Sequence, residues 1–288
     1  MTEVVHSDTY PGIEPSKLNM NGKYVFISGA SRGLGRAMAV SITKAGASFI
    51  AIGGRSDFTA TTEAIREAAA AVGKPTPVVL PLNFEVTDPA AVDAAVAKIR
   101  AEFGRIDIVI NNAGISGTMT KIAEKDPEEF RQVLDVNING PYLITRAFIP
   151  LMLEAGGDKT FLQIASVGAH ILLPGMAAYL VSKAGLMRFA QIIDSEYADQ
   201  GILAYTIHPG NIRTEILDDF TIDPTITVGK FDSFRTFVRS HPILEAGIKA
   251  DTKTYSPVHS VGRNSRAGWR FRRMAGFAEA RVARWPVY

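Results

Sequence analysis

The sequence predicts an α/β fold, a doubly wound parallel sheet with helices on both faces. Three observations carry this. Six short apolar runs recur along the chain, longer helix-like segments separate them, and each run is continuous rather than alternating in polarity. A strand covered on both faces buries both sets of its side chains and so shows no alternation, and strand–helix alternation at this spacing implies right-handed βαβ units.

Strands are expected at Val25-Phe26-Ile27, Phe49 to Ile52, Val78-Val79-Leu80, Ile108-Val109-Ile110, Phe161 to Ile164 and Ile202 to Ile207. Helices are expected near 33–46, 58–73, 89–103, 127–154 and 176–200. Two helix starts are explicit. Asp88-Pro89 sets an N-cap before a first-turn proline, and Asp126-Pro127-Glu128-Glu129 repeats this with Glu129 placed as a capping-box glutamate.

The 288 residues, 47% hydrophobic and 21% charged, suit one large domain with a substantial core, and no Pro/Gly/Ser-rich linker divides them. We divide the chain into an N-terminal extension (1–20), a catalytic domain (21–254) and a basic tail (255–288). The tail holds seven arginines against one acid, Glu279, so it carries +6 of a chain whose net charge is +2, leaving the rest at −4. A mildly acidic body argues against nucleic-acid binding.

Cysteine is absent, which excludes disulfides, a thiolate nucleophile and a thiolate metal site. The five histidines show no metal-ligand spacing, so no metal is expected. The N-terminus lacks an apolar signal core and no uncharged apolar run reaches bilayer length, so a cytoplasmic protein without a membrane span is expected.

The first strand runs into Ser28-Gly29-Ala30-Ser31-Arg32-Gly33-Leu34-Gly35, which opens a helix. Glycines there let backbone N–H groups approach a pyrophosphate, and the helix N-terminus adds partial positive charge. The spacing is GxxxGxG rather than GxGxxG, and such turns also serve packing alone. Strand two ends Ile52-Gly53-Gly54-Arg55-Ser56. An acid at this point would hold the adenosine ribose hydroxyls, whereas an arginine suits a 2′-phosphate. No acid occurs before Asp57, and Arg32 in the loop offers a second cation, so NADP(H) is expected over NAD(H).

Tyr179 and Lys183 lie four apart in a helical segment, hence on one face. A phenol with a pKa near 10 is a poor base at neutral pH, and a close ammonium favours its phenolate. Thirteen residues earlier, Ser166 follows the fifth strand, at the end where open α/β sheets place ligands. It is a candidate to hold a substrate oxygen.

Taken together, these motifs resemble the short-chain dehydrogenase/reductase family, in its single-domain Rossmann-type branch of about 250 residues. The resemblance rests on Gly29, Gly33 and Gly35; Asn111-Asn112-Ala113-Gly114; Asn137; Ser166; Tyr179 with Lys183; and Pro209-Gly210 followed by Thr214, and it covers about Asn21 to Ile216. It implies an oxidoreductase, a carbonyl reductase or alcohol dehydrogenase. Ser166 would hydrogen-bond the substrate carbonyl, Tyr179 would act as general acid or base, and Lys183 would depress the tyrosine pKa and bind the nicotinamide ribose. Asn137 would anchor a water linking Lys183 to solvent. The remaining cofactor contacts it implies are Ser31, Leu34, Glu85, Val86, Asn112, Ala113, Gly114, Pro209, Gly210, Ile212 and Thr214. It also implies a homodimer or homotetramer formed through the helices at 127–154 and 176–200.

The chain departs from the family pattern in two places. Glu85-Val86 stands where the family has Asp-Val meeting the adenine. After about Thr254 no strand is legible where relatives have a seventh, so residues 255–288 are either a divergent extension or the product of a mis-assigned reading frame or splice form. His208 reads as an ordinary strand-end residue. Residues 170–174 and Met176 line a substrate pocket or pack into the core, and the segment 211–240, with Phe220, Phe231, Phe234 and Phe237, reads as a lid over a hydrophobic substrate. Two alternatives to redox turnover are an epimerase or dehydratase of the same family and a non-catalytic NADP(H)-binding regulator.

Overall fold

Apolar side chains that alternate along a strand point to opposite faces of a sheet, so a continuous apolar run must be covered on both sides. The computed structural model, which describes residues 12–210 and 212, shows this arrangement. Six parallel strands, β1 (Tyr24–Ser28), β2 (Phe49–Gly54), β3 (Val78–Asn83), β4 (Ile108–Asn111), β5 (Thr160–Ile164) and β6 (Leu203–Ile207), form one sheet in the order β3-β2-β1-β4-β5-β6. The winding reverses between β1 and β4. The crevice beyond the carboxyl ends of those two strands is the topological switch point, where such sheets hold ligands.

Alternate residues of each strand feed two separate cores. Val25, Ile27, Ile50, Ile52, Ile110 and Ile164 pack against α1 (Gly33–Lys44) and α2 (Thr59–Ala71). Phe26, Ala51, Val109 and Phe161 turn the other way, toward α3 (Pro89–Phe103), α5 (Gly140–Ala155) and α6 (Ala177–Tyr197). Phe26 and Phe148 anchor this second core with ring centroids 4.9 Å apart. Each fully buried side chain of this size contributes roughly 1.5–3 kcal/mol. Pro81 sits inside β3, which is tolerated because β3 is an edge strand and the missing N–H breaks no interior ladder.

The expected start of α3 forms as the sequence dictates: Asp88 accepts from Ala90 N and Ala91 N, and Gly104 ends the helix in the left-handed conformation at φ +70°. Residues 127–154 differ from one continuous helix. They form α4 (Pro127–Leu134), a π-helical turn at Asp135–Asn139, and α5. Gly140 N donates to Asp135 O, five residues back, so one extra residue is accommodated and the side chains after it are rotated. Asp126 caps α4 through Glu128 N, but Glu129 does not close a capping box. Its carboxylate instead accepts from Thr118 N at 2.5 Å and from Lys125 Nζ at 3.1 Å.

Of the regions read as extension, lid and tail, only 12–20 and Ile212 fall within the described residues; Asn211, the rest of 213–240 including Thr214, and all of 255–288 lie outside them. Among the described residues no helix is long and apolar enough to cross a membrane.

Candidate active site

The switch-point crevice is built first by the loop between β1 and α1. Gly29 N donates to Gly53 O at 2.7 Å, and Gly29 holds φ +66°. A Cβ there would lie 2.8 Å from Ala113 Cα, so only glycine lets the β4 loop approach. Gly33, at φ +54°, turns the chain into α1. At Gly35 a Cβ would collide with Gly29 O and come within 2.7 Å of Asn112 Nδ2.

Asn112 locks this junction. Its side-chain amide donates to Ser28 O and Gly29 O, both at 3.0 Å, while Ser28 Oγ accepts from Asn112 N and Ala113 N. The carbonyls of Ala30 and Ser31 accept from Thr61 Oγ1, and Ser31 O also accepts from the Arg36 guanidinium. Leu34 packs against the α1–α2 core. No side chain caps α1, whose N-cap position is Arg32 in extended backbone. The loop therefore spends its carbonyls on protein donors while the first-turn N–H groups of α1, which have no partner within the helix, remain for a ligand. That arrangement fits a pyrophosphate, and hence a dinucleotide.

The adenosine end of such a ligand would meet the ends of β2 and β3. Arg55 Nη1 lies 3.3 Å from Glu85 Oε2. Both residues line a cleft of about 240 Å³ together with Thr87, Glu128, Arg131 and Asp135. This cleft is at the β2–β3 edge, not over Tyr179. The Val86 side chain is buried in the α3–α5 core, in contact distance of Gly140.

The second half of the crevice comes from β5 and α6. Ser166 Oγ accepts from Gly168 N at 3.0 Å and lies close enough to the Tyr179 phenol to lower its pKa. A Cβ at Gly168 would lie 3.3 Å from Ser166 Oγ and 3.5 Å from Tyr179 Cε1, so the glycine keeps this contact open. Lys183, one turn further along α6, donates from Nζ to Ile164 O at 2.9 Å and sits 5.5 Å from the Tyr179 ring centroid. Burial pushes the Tyr179 phenol above its usual value of 10, and the neighbouring Ser166 hydroxyl pulls part of that back. Burial also lowers the Lys183 ammonium from 10.5 to about 8. In the protein alone, then, the lysine does not bring the phenol into the neutral range; the opposing charge of a bound oxidised nicotinamide would have to assist.

Asn137, on the π-helical turn, is fully buried. Its Oδ1 accepts from Ile115 N at 2.9 Å, and its Nδ2 donates to Ile115 O at 2.9 Å and Ser182 Oγ at 3.0 Å. Ser182 in turn donates to Tyr179 O. The side chain therefore ties the loop after β4 to α6. Gly114 lies between, where a Cβ would be 3.2 Å from Asn137 Oδ1 and 3.6 Å from Lys183 Nζ. The structure thus brings Asn137, Ser166, Tyr179, Lys183 and Gly114 together at the crevice. Asn111 turns away from it and donates to Thr145 Oγ1 on α5.

His208 Nδ1 accepts from Val167 N at 3.0 Å, steadying the backbone beside Ser166. Pro209 and Gly210, the latter at φ +86°, follow β6, and Ile212 is partly buried; Thr214 lies outside the described residues. Within 170–176, Leu172 is 94% exposed and so does not pack in the core. Four contributors escaped the sequence reading: Arg36 and Thr61, which hold the loop carbonyls, and Thr118 and Lys125, which hold Glu129. Burial alone would raise the Glu129 carboxyl, but bonds from Thr118 and Lys125 outweigh it and keep it below the usual range. This knot fixes the loop whose Thr120 N donates to Gly175 O, joining the two walls beside Tyr179. The i,i+4 spacing of Lys125 and Glu129 was the one available signal. Among the described residues no three His, Asp or Glu side chains gather as a metal site.

Comparison with known proteins matches residues 23–224 to the family model described as short chain dehydrogenase. The chain is 46% identical over 217 residues to the short chain dehydrogenase pigC of Monascus ruber, covering 75% of this chain and 71% of that one. It is 46% identical over 219 residues to the short chain dehydrogenase tazN of Aspergillus terreus, covering 75% of this chain but spanning only 47% of that protein. Among solved structures, it is similar to 3-ketoacyl-(acyl-carrier-protein) reductase from Brucella melitensis complexed with NADH. There the TM-score is 0.60 and the identity 29%, over 70% of this chain and 80% of that one.

Proposed function

This chain belongs to the short-chain dehydrogenase/reductase family of oxidoreductases, and on that footing we propose that it is an NADP(H)-dependent carbonyl reductase acting on a hydrophobic ketone, reversible as an alcohol dehydrogenase. The observation that carries the reading is the juxtaposition of Ser166 and Tyr179 across Gly168, one helical turn from the buried Lys183 and beside the glycine cradle.

A dinucleotide is held, in this reading, by the N–H groups of Gly33, Leu34 and Gly35, by Ser31, by Asn112, Ala113 and Gly114, and by Pro209, Gly210, Ile212 and Thr214. When bound, its nicotinamide supplies hydride for reduction or accepts it for oxidation. Ser166 and Tyr179 hold the carbonyl oxygen of the substrate between their hydroxyls. As that carbon becomes tetrahedral, Tyr179 gives its proton to the oxygen and is left as phenolate. The Lys183 ammonium, at neutral pH still below its pKa of about 8, stabilises the phenolate and orients toward the ribose. Asn137 holds the loop and α6 at the separation this geometry needs. Reprotonation of Tyr179 from solvent, by way of Lys183, closes the cycle.

Preference for NADP(H) is supported by Arg55 at the end of β2, with no acid before Asp57, and by Arg32 at the α1 N-cap. The ketone assignment draws on the relative named as a 3-ketoacyl reductase, and the hydrophobic substrate on Leu172, which is 94% exposed in the segment between Ser166 and Tyr179. The test is consumption of reduced cofactor with a panel of ketones, thioester-linked 3-ketones included. Turnover with NADPH on apolar ketones is expected. Cofactor binding without turnover on any carbonyl would overturn the reading. Self-association through α5 and α6 belongs to the same proposal, since Tyr142, Val181 and Ile192 are exposed there. Sedimentation should show a dimer or larger, and a monomer at micromolar concentration would refute it.

A further inference from the structure

The ends of β2 and β3 are stitched together at the two residues that carry opposite charge into the cofactor cleft. Phe84 N donates to Gly54 O at 2.9 Å, and Asn83 Nδ2 donates to Arg55 O at 3.2 Å. Arg55 and Glu85 are thereby fixed side by side, and Arg55 Nη1 reaches to within 3.3 Å of Glu85 Oε2. The family-typical aspartate at this position would be one methylene shorter. The pair is not sealed, because the two side chains are 64% and 35% exposed, so it can open.

The rest of the cleft offers no second loosely held cation. Arg131 already bonds both Glu128 and Asp135, the latter at 2.8 Å. The cleft thus faces a ligand with two guanidinium groups and three carboxylates. A phosphate arriving there must draw Arg55 away from Glu85 and lie near that carboxylate.

We infer that Glu85 is a selectivity-determining residue that acts through Arg55: by engaging the guanidinium it weakens recognition of a 2′-phosphate, so the chain discriminates between NADPH and NADH less than its arginines alone dictate. The inference rests on the proposed reading of Arg55 as the phosphate ligand. Any contact of Glu85 with the adenine is common to both nucleotides and cancels in the NADPH/NADH ratio, so the effect transmitted through Arg55 is read in that ratio.

The test is equilibrium binding of NADPH and NADH, read by nucleotide fluorescence, to wild type, Glu85→Gln, Arg55→Ala and the double variant. Glu85→Gln keeps the shape and a hydrogen-bond acceptor but removes the charge. It should tighten NADPH relative to NADH roughly three- to tenfold, and most of that gain in the ratio should vanish in the Arg55→Ala background. An unchanged NADPH/NADH ratio in Glu85→Gln overturns the inference. So does an equal gain with and without Arg55, because the carboxylate would then act on the ligand directly. If Arg55→Ala instead weakens both nucleotides alike, the phosphate reading itself falls.

Discussion

Replacing Asn137 by alanine isolates the contact that joins the two halves of the site. The amide is fully buried and satisfies both backbone groups of Ile115, accepting from its N–H and donating to its carbonyl, each at 2.9 Å. Its third bond, to Ser182 Oγ, is partly redundant because Ser182 also bonds Tyr179 O. The variant leaves an N–H and a carbonyl without partners, each costing about 1 kcal/mol, the lower end of the usual range because Ile115 is only partly buried. The missing amide volume adds about 1 kcal/mol, so the total is about 3 kcal/mol. For a domain of this size that is roughly 6–12 °C in Tm. Urea denaturation and thermal melting read it directly. Asn137→Asp makes the test sharper: at neutral pH it keeps the acceptor but turns a carboxylate toward the Ile115 carbonyl, and acidification should restore part of the loss as a proton returns to that oxygen. A loss under about 1 kcal/mol for Asn137→Ala would mean the bridge does not hold the fold, and the reasoning would fail.

Gly35→Ala should leave the core intact yet weaken dinucleotide binding at least about tenfold, because the added methyl meets Gly29 O and Asn112 Nδ2, a backbone atom and a locked amide that cannot swing aside. Calorimetric titration checks it, and unchanged affinity would show that the loop is not the cradle. Lys183 sets a pH dependence. Its folded pKa, about 8, lies below the usual 10.5, so below pH 8 the ammonium is buried at full cost. Between pH 8 and 10.5 the folded state sheds a proton that the unfolded state keeps, and stability should rise with pH by up to about 3 kcal/mol. Lys183→Met should remove that rise, with other titrating groups cancelling in the comparison; parallel stability curves would refute it.

Much of this architecture is written in local signals. Asp88-Pro89 and Gly104 bound α3 because caps and left-handed glycines act over one turn, and Val25 to Ile27 declare a doubly covered strand by their unbroken apolar character. Gly29, Ser166, Tyr179 and Lys183 were legible because strand ends and helix spacing bring them to one crevice. What stayed hidden depends on contacts distant in sequence. The π-helical turn at Asp135–Asn139 interrupts no apolar period, so nothing local marks it. Glu129 has the position of a capping-box residue, but Thr118 and Lys125 compete for its carboxylate and win. Arg36 looks like a surface arginine until the fold sets Ser31 O against it, and the pairing of Glu85 with Arg55 arises only once β2 and β3 lie side by side.

The account turns on the Tyr179 phenol as proton donor, and Tyr179→Phe measures that most directly. Reduced-cofactor affinity and ketone turnover should be determined on the same preparations of wild type and variant. We predict binding within about threefold of wild type and turnover lower by roughly 10²–10⁴, the usual contribution of a positioned acid. A variant that binds cofactor and keeps most of its turnover would contradict the mechanism, since Tyr179 is its assigned proton donor.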